Sequence, residues 1–234
     1  MNSAFIATAG GALGIVLVVT AGPLYRWGAP LLTAFGTLAL GALVGGVAVA
    51  AGLVAIGTAL AKGRRPSIPV AAGILLGLLA SGIPLQQVRA ARGLPPIHDI
   101  TTDIANPPTF DAVIRFRDAR SNSLEIREDT LSAQRRAYPD VTTLTLAQPA
   151  GEVFDRAVEA AQDMDWQIVT ADRGSGRIEA TDTSRWFGFK DDVVVRLSPD
   201  GVATRVDVRS ASRTGEGDRG ANARRVRDYL DRLR

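Results

Sequence analysis

Long apolar stretches occupy the N-terminal part of the chain. Residues 4–22, 31–61 and 68–85 form stretches of 19, 31 and 18 residues without a charged side chain. About 20 predominantly apolar residues cross the hydrocarbon core of a bilayer. The pattern therefore predicts a transmembrane domain over residues 1–92 with three spans. A cleaved signal peptide is the alternative for the first stretch, but a basic n-region is missing and two further apolar stretches follow.

After the third stretch the periodicity changes. A Pro-rich connector over residues 92–96 leads into a segment, 93–140, whose weak periodicity predicts extended chain and short turns that wrap the next domain. Alternation and helical spacing from Val141 onward predict a soluble domain over residues 141–234. Its elements are a strand at 141–146, a helix at 149–164, strands at 166–170, 177–181, 193–197 and 204–210, and a terminal helix with apolar Val226, Tyr229, Leu230 and Leu233. The order β-α-β-β-β-β-α predicts an α+β fold, an antiparallel sheet with helices on one face.

Charge is divided unevenly between the two parts. Residues 1–96 carry six basic and no acidic side chains, whereas residues 97–234 carry 21 basic and 24 acidic ones. The sequence pI of 9.8 therefore reflects the membrane flanks, and we expect no nucleic-acid partner. Lys62, Arg64 and Arg65 lie between the second and third stretches and only Arg26 between the first and second, which predicts a cytoplasmic N-terminus and a C-terminal domain on the outer side of the membrane.

The apolar stretches also suggest how the helices associate. Each carries a Gly-x-x-x-Gly motif, at residues 10–14, 41–45 and 73–77. Small residues one turn apart allow close helix packing, either within one chain as a bundle or between copies as a homo-oligomer, although a Gly-rich composition also produces the spacing by chance. The absence of ionisable residues inside the stretches argues against a transport function. The lipid bilayer is therefore the first expected partner.

The only histidine is a candidate for chemistry. His98 stands beside Asp99, with Asp103 nearby, so a general base oriented by a carboxylate is one interpretation. One histidine with scattered aspartates and no cysteine is poor support for a metal site, and we predict neither a metal nor a cofactor. The alternative is a histidine in a turn where the connector docks on the domain, which the surrounding Pro and Asp residues favour.

An aromatic cluster lies between two predicted strands. Trp186, Phe187 and Phe189 stand within four residues and are followed by Asp191. These rings could line a ligand pocket, enter the bilayer interface or contact a partner, or they could close one end of the core. Because neighbouring strand residues point to opposite faces, Asp191 and the next residue do not form a convincing acid pair.

A Gly-rich loop with basic neighbours precedes the terminal helix. Arg213, Asp218, Asn222 and Arg224 are its candidate binding residues. Free amides and the helix dipole favour an anion at such a position. The loop matches neither the P-loop nor the dinucleotide fingerprint, and its carboxylates would repel phosphate. The alternative is a structural loop whose arginines pair with nearby aspartates.

Several motifs carry a resemblance to a known family. They are Pro96-Ile-His-Asp-Ile-Thr-Thr-Asp103, Asn106-Pro-Pro-x-Phe110, Tyr138-Pro-Asp140, Trp186-Phe-Gly-Phe-Lys-Asp-Asp192, Arg205-Val-Asp-Val-Arg-Ser-Ala-Ser-Arg213 and Gly217-x-x-Gly-Ala-Asn-Ala-Arg224. Residues 96–233 thereby resemble the bacterial domain-of-unknown-function family 1499, and the fused spans resemble envelope members of that family. The resemblance supplies no catalytic residues. If the motif residues converge on one side of the sheet, a shared binding groove is the expectation.

Two function hypotheses follow from the sequence. The first is a non-enzymatic inner-membrane protein whose periplasmic domain binds or scaffolds an envelope protein or a lipid ligand. The second is a membrane-tethered hydrolase that uses His98 with Asp99 or Asp103. Convergence of the imidazole and a carboxylate in a pocket would favour the second hypothesis.

Overall fold

The computed structural model describes residues 2–234, and these form two compact units. The helical unit contains the described residues up to Arg92 together with residues 185–188, and the soluble unit contains residues 93–184 and 189–234. The helical unit has three long helices, α1 (Ser3–Arg26), α2 (Leu31–Ala61) and α3 (Ile68–Ala90). Each is long and apolar enough to cross a membrane, which agrees with the three predicted spans.

Glycines bring these three helices close together. A β-carbon on Gly41 would lie 2.8 Å from the carbonyl oxygen of Gly14, and one on Gly77 would lie 2.6 Å from that of Gly45. The helix faces that carry the Gly-x-x-x-Gly motifs are therefore occupied by packing within one chain. Gly11 packs against Gly73 in the same way. Large apolar side chains cover the outside of the unit, as expected for contact with lipid.

The soluble unit builds an antiparallel sheet with helices. Its elements are β1 (Asp99–Thr101), a 3₁₀ turn (Ile114–Phe116), α4 (Glu128–Ala137), β2 (Leu144–Leu146), α5 (Ala150–Asp163), β3 (Gln167–Asp172), β4 (Arg177–Thr183), β5 (Lys190–Asp200), β6 (Ala203–Ser212) and α6 (Ala221–Leu233). The strand order is β1-β6-β5-β4-β3, and β2 also pairs with β6. The predicted α+β fold is confirmed, and every strand pair is antiparallel.

The segment 93–140 is more ordered than its sequence indicates. It contributes the short strand β1 and the ten-residue helix α4, so the prediction of extended chain and short turns is wrong over α4. The only buried residue of α4 is a polar one, Gln134. Its amide group accepts a hydrogen bond from the Thr101 amide at 3.0 Å and donates one to the Thr101 carbonyl at 2.6 Å. A helix that docks through one glutamine has no apolar stripe to detect.

One face of the sheet carries the apolar core. Helices α5 and α6 pack on this apolar face, and Tyr229 of α6 is fully buried at its centre. The Tyr229 ring stacks on Trp166 with centroids 4.9 Å apart, and its hydroxyl donates to the Ala157 carbonyl at 2.8 Å. The predicted position of both helices on this side of the sheet agrees with the structure.

Candidate functional site

The opposite face of the sheet is charged and buried. Side chains alternate along a strand, so the residues that turn away from the helices form a second set, here named the charged face. Its charged members are all less than 9% exposed and are Asp99, Glu179, Asp192, Asp207, Arg209 and Arg213. Residues 102–127 cover them, with Phe110, Val113 and Leu124 as a small apolar cluster. Buried charges need partners, and the charged face supplies them from its own strands and from the cover.

Asp99 and Arg209 form one of these pairs. The two Asp99 carboxylate oxygens accept from Nε and Nη2 of Arg209 at 3.0 and 2.7 Å. The same guanidinium donates to the carbonyls of Pro108 and Leu124 at 3.1 and 2.6 Å, and it lies 4.9 Å from the ring centroid of Phe110. Arg209 therefore joins the sheet to the cover at several points.

Asp192 sits between two arginines. Nε and Nη2 of Arg213 donate to its carboxylate at 2.9 and 2.6 Å, and Arg117 from the cover donates at 2.5 Å. The Thr181 hydroxyl adds a bond at 2.9 Å. Nη1 of Arg213 donates to the Phe116 carbonyl at 2.8 Å. One fully buried carboxylate thus pairs with a cation from the sheet and a cation from the cover.

Glu179 holds the cover at residues 111 and 113 through hydrogen bonds from backbone amides. Its carboxylate accepts from the backbone amides of Asp111 and Val113, each at 3.0 Å, and from Nε of Arg177 at 2.7 Å. Amides of irregular chain lack the partners that a helix or strand provides. A fully buried glutamate on β4 satisfies two of them here.

Asp103 extends the charged face toward the sheet edge. Nη2 of Arg196 lies 2.9 Å from an oxygen of Asp103 and 2.9 Å from an oxygen of Asp207. The other Asp103 oxygen accepts from the Asn106 amide at 3.0 Å. Asp103 therefore holds its own loop as well as the arginine.

A second polar group lies near the start of α6, on the apolar side of the sheet. Asn222 is fully buried, and its amide donates to the His98 carbonyl at 3.0 Å and accepts from the Ser210 hydroxyl at 2.6 Å. Arg225 donates to Asp191 at 2.5 Å. The hydrogen bonds of His98 within the described chain come from its backbone, so neither Asp99 nor Asp103 orients the imidazole.

Asp218 occupies the amino end of α6. Its two carboxylate oxygens accept from the amides of Gly220 and Asn222 at 2.8 and 2.7 Å. Burial raises the pKa of the Asp218 carboxyl, the two amide bonds oppose that rise, and Asp191 adds to it. The amides that the anion interpretation assigns to a ligand are thus taken by a carboxylate of the loop itself.

The aromatic residues 186 and 187 belong to the helical unit. Nε1 of Trp186 donates to the Val19 carbonyl at 3.2 Å. The buried Phe187 ring lies 5.4 Å from Phe35 and 6.3 Å from Tyr25 between centroids. These rings therefore pack on the ends of α1 and α2.

The sequence candidates consequently occupy separate places. Asp99, Asp103 and Arg213 belong to the charged face and its cover, and Asp191, Asp218 and Asn222 lie near the start of α6 with the His98 carbonyl. Trp186 and Phe187 pack within the helical unit. Phe189 is half-buried, and its backbone amide donates to the Ser184 hydroxyl at 2.9 Å. Arg224 is exposed and donates to the Arg219 carbonyl at 3.1 Å.

The sequence candidates omit most of the charged face. Glu179, Asp192, Asp207 and Arg209 are absent from them, as is Arg117 of the cover. The available signal is a charged residue at alternate positions over part of β4 and β6, such as Arg177 and Glu179 or Asp207 and Arg209. That signal is typical of a solvated face, and only the cover converts it into a buried one.

A surface groove remains beside these networks. Its volume is about 470 Å³, and its walls include Thr102–Ala105 on one side and Arg135, Tyr138, Pro139 and Val141–Thr143 on the other. The Tyr138 hydroxyl is the one buried side-chain polar atom in residues 2–234 without a hydrogen-bond partner. Burial, followed by the charge of Asp218, raises the pKa of Tyr138. No cluster of metal-ligating residues occurs in that same described range.

Fold and site define a class of protein: an α+β domain, stabilised by buried ion pairs, that follows three helices able to span a membrane. The chain belongs to the family described as protein of unknown function (DUF1499), whose model matches residues 99–233. The match confirms the family resemblance. No curated protein matches the chain.

Proposed function

We propose that this protein is a non-enzymatic binding or scaffolding protein of the bacterial cell envelope. Three apolar helices hold it in the inner membrane, and the soluble unit lies in the periplasm and binds an envelope protein or a lipid. The observation that carries the proposal is the pairing on the charged face and its cover, where carboxylates and arginines neutralise one another inside the domain. Asp99 and Asp192 each have both oxygens bonded to arginines.

The groove beside Tyr138 is the ligand site in this proposal. It combines apolar walls from Ile104 and Val141 with hydroxyls and the exposed cation Arg135. Pockets that bind ligands pair apolar lining with a few polar groups that fix orientation. Thr142 and Arg135 are such groups, because both line the groove and are exposed.

Photocrosslinking in native membranes tests the binding proposal. A benzophenone side chain replaces exposed Ala105 at the groove in one variant and exposed Val202 on the β5–β6 hairpin in another. We expect a discrete adduct from position 105 that Arg135→Glu abolishes, and none from position 202. Mass spectrometry distinguishes a protein adduct from a lipid adduct. Equal adducts from both positions, or none from position 105, would contradict the proposal.

The orientation has its own test. A phosphatase reporter that is active only outside the cytoplasm is fused after Arg234 in one strain and after Arg65, in the basic loop, in another. We expect activity from the first fusion alone, because Lys62, Arg64 and Arg65 favour the cytoplasmic side. The opposite pattern would overturn the assignment of the periplasm.

A further inference from the structure

The 3₁₀ turn exposes two large apolar side chains. Ile114 is 50% and Phe116 is 52% exposed, while the preceding Val113 is fully buried. Among the described residues of the soluble unit, only Val202 is a comparably exposed large apolar side chain. Ile114 and Phe116 lie two residues apart on one turn, and their side chains form an apolar patch that water solvates poorly.

The turn is fixed in its exposed position. Arg213 donates to the Phe116 carbonyl at 2.8 Å, and Glu179 accepts from the Val113 amide at 3.0 Å. Both anchors are buried residues of the charged face. The sheet therefore presents Ile114 and Phe116 outward, so their exposure is built into the fold and adds no ordering cost when they contact a partner.

Cations surround the turn. The Arg115 guanidinium lies 4.8 Å from the Phe116 ring centroid. Arg115, Arg120 and Lys190 are exposed and form no ion pair in the described chain, whereas the same region carries the carboxylates of Asp111 and Asp118. These three cations outnumber the two carboxylates, so the net charge of this group is positive. An apolar pair next to cations complements a surface with phosphate outside and hydrocarbon beneath.

Backbone bonds place these groups at one end of the sheet. Arg213 donates its amide to the Lys190 carbonyl at 2.9 Å, and the Asn122 amide donates to the Arg213 carbonyl at 2.8 Å. Lys190 is two residues from Gly188, so covalent geometry limits the distance between their α-carbons to about 7 Å. Gly188 belongs to the helical unit. Val202 follows the far end of β5, ten strand residues or roughly 33 Å away.

We propose that the 114–116 turn inserts Ile114 and Phe116 into the interface of the bilayer that holds the three helices, with Arg115, Arg120 and Lys190 at the level of the lipid phosphates. Covalent proximity of Lys190 to a helical-unit residue brings the turn within reach of that bilayer. Anionic lipids strengthen the contact, because each exposed cation near a negative surface adds attraction. This contact is independent of any ligand in the groove.

Site-specific labelling tests this insertion cleanly, since the chain has no cysteine. Ala119→Cys, which leaves Ile114 and Phe116 intact, and Val202→Cys carry an environment-sensitive fluorophore. The full chain is reconstituted in vesicles of phosphatidylglycerol and phosphatidylethanolamine, with or without nitroxide-labelled lipid. We expect several-fold stronger quenching by the nitroxide lipid at position 119 than at position 202, and the reverse order with aqueous iodide.

Two further variants separate insertion from simple tethering. Adding Ile114→Ser and Phe116→Ser to Ala119→Cys removes the apolar pair from the exposed surface while the anchoring backbone bonds remain. We expect the lipid quenching at position 119 to fall to the level of position 202. Unchanged quenching would overturn the proposal, because the tether alone would then set the position. If the fluorophore at position 119 were protected from iodide in native membranes but not in pure-lipid vesicles, the proposal would also be overturned, in favour of a protein partner.

Discussion

The two faces of the sheet bury their side chains by opposite means. On the apolar face, Tyr229 and Trp166 lie in a core of aliphatic and aromatic residues under α5 and α6. On the charged face, Asp192, Arg209 and Glu179 are equally buried under a cover with almost no regular structure. Burial of apolar surface is favourable by itself, whereas burial of charge is tolerated only when every group keeps its partner.

The side chains of the charged face therefore depend on one another more than those of the apolar face do. Truncating one side chain on the apolar face removes contacts and leaves a cavity, and its neighbours stay satisfied. Removing one charge on the other face leaves its partner buried and alone. The charged face should therefore respond to single substitutions almost as strongly as the core, but recover when both partners are replaced.

The largest expected effect is on the apolar face. Tyr229→Ala should reduce the free energy of unfolding of the soluble unit by about 4–5 kcal/mol, because it empties a fully buried aromatic site. Urea titration of the full chain in detergent, followed through Trp166 fluorescence, measures the change. The control Tyr229→Phe keeps the ring and loses only the bond to Ala157, which costs about 1 kcal/mol. A loss below 1 kcal/mol for Tyr229→Ala would contradict the assignment of this residue to the core.

The next effect is on the charged face. Asp192→Ala should cost about 3–4 kcal/mol, because Arg117 and Arg213 lose their shared carboxylate. Asp200→Ala, at the exposed hairpin between β5 and β6, is the matched control and should leave the same urea transition unchanged. If both substitutions had equal, small effects, the buried carboxylate would not hold the cover.

A smaller effect is expected where backbone amides are the partners. Glu179→Gln keeps an oxygen for the Asp111 and Val113 amides and loses the charge that faces Arg177, so we expect a loss of about 1–2 kcal/mol. Amide hydrogen exchange at residues 111 and 113 should accelerate by more than exchange at Val208 in β6. Equal acceleration at all three amides would mean that Glu179 acts on the whole fold.

The smallest effect is a change with pH near the start of α6. The pKa of Asp218 is raised, so the folded state holds this proton more tightly than the unfolded chain does. Its contribution to stability is complete below the unfolded pKa of about 3.8 and is lost as pH rises through the higher folded value. Asp218→Asn should remove this decline from the stability profile, and its single side-chain oxygen keeps one of the two amide bonds. A parallel profile for the variant would contradict the coupling.

The apolar face could be predicted from the sequence because periodicity reports burial of apolar residues. Spacing over Val226, Tyr229, Leu230 and Leu233 placed α6 correctly, and the strand pattern found β2 to β6 but not β1. The three apolar stretches could be predicted equally well, because a helix that contacts lipid is apolar on all sides.

The charged face could not be predicted in this way. Glu179 and Arg209 look solvated in sequence, and the cover that buries them is irregular apart from the 3₁₀ turn over Ile114–Phe116. The pairing of Asp99 with Arg209 joins residues 110 positions apart, so no local pattern indicates it. For the same reason the sequence suggests chemistry for Asp99 and Asp103. It does not indicate that Arg209 and Arg196 are their ion-pair partners.

A double-mutant cycle on Asp99 and Arg209 tests most directly whether the buried charges of the charged face serve to neutralise one another. The quantity measured is the free energy of unfolding of Asp99→Leu, Arg209→Met and the double variant, each in the full chain. The account predicts that each single variant loses about 3 kcal/mol and that the double variant loses at least about 2 kcal/mol less than their sum, because partners in one buried pair are coupled. Losses that add within about 0.5 kcal/mol would show that each charge serves something other than its partner, and would contradict the charged face as a self-neutralising structural layer.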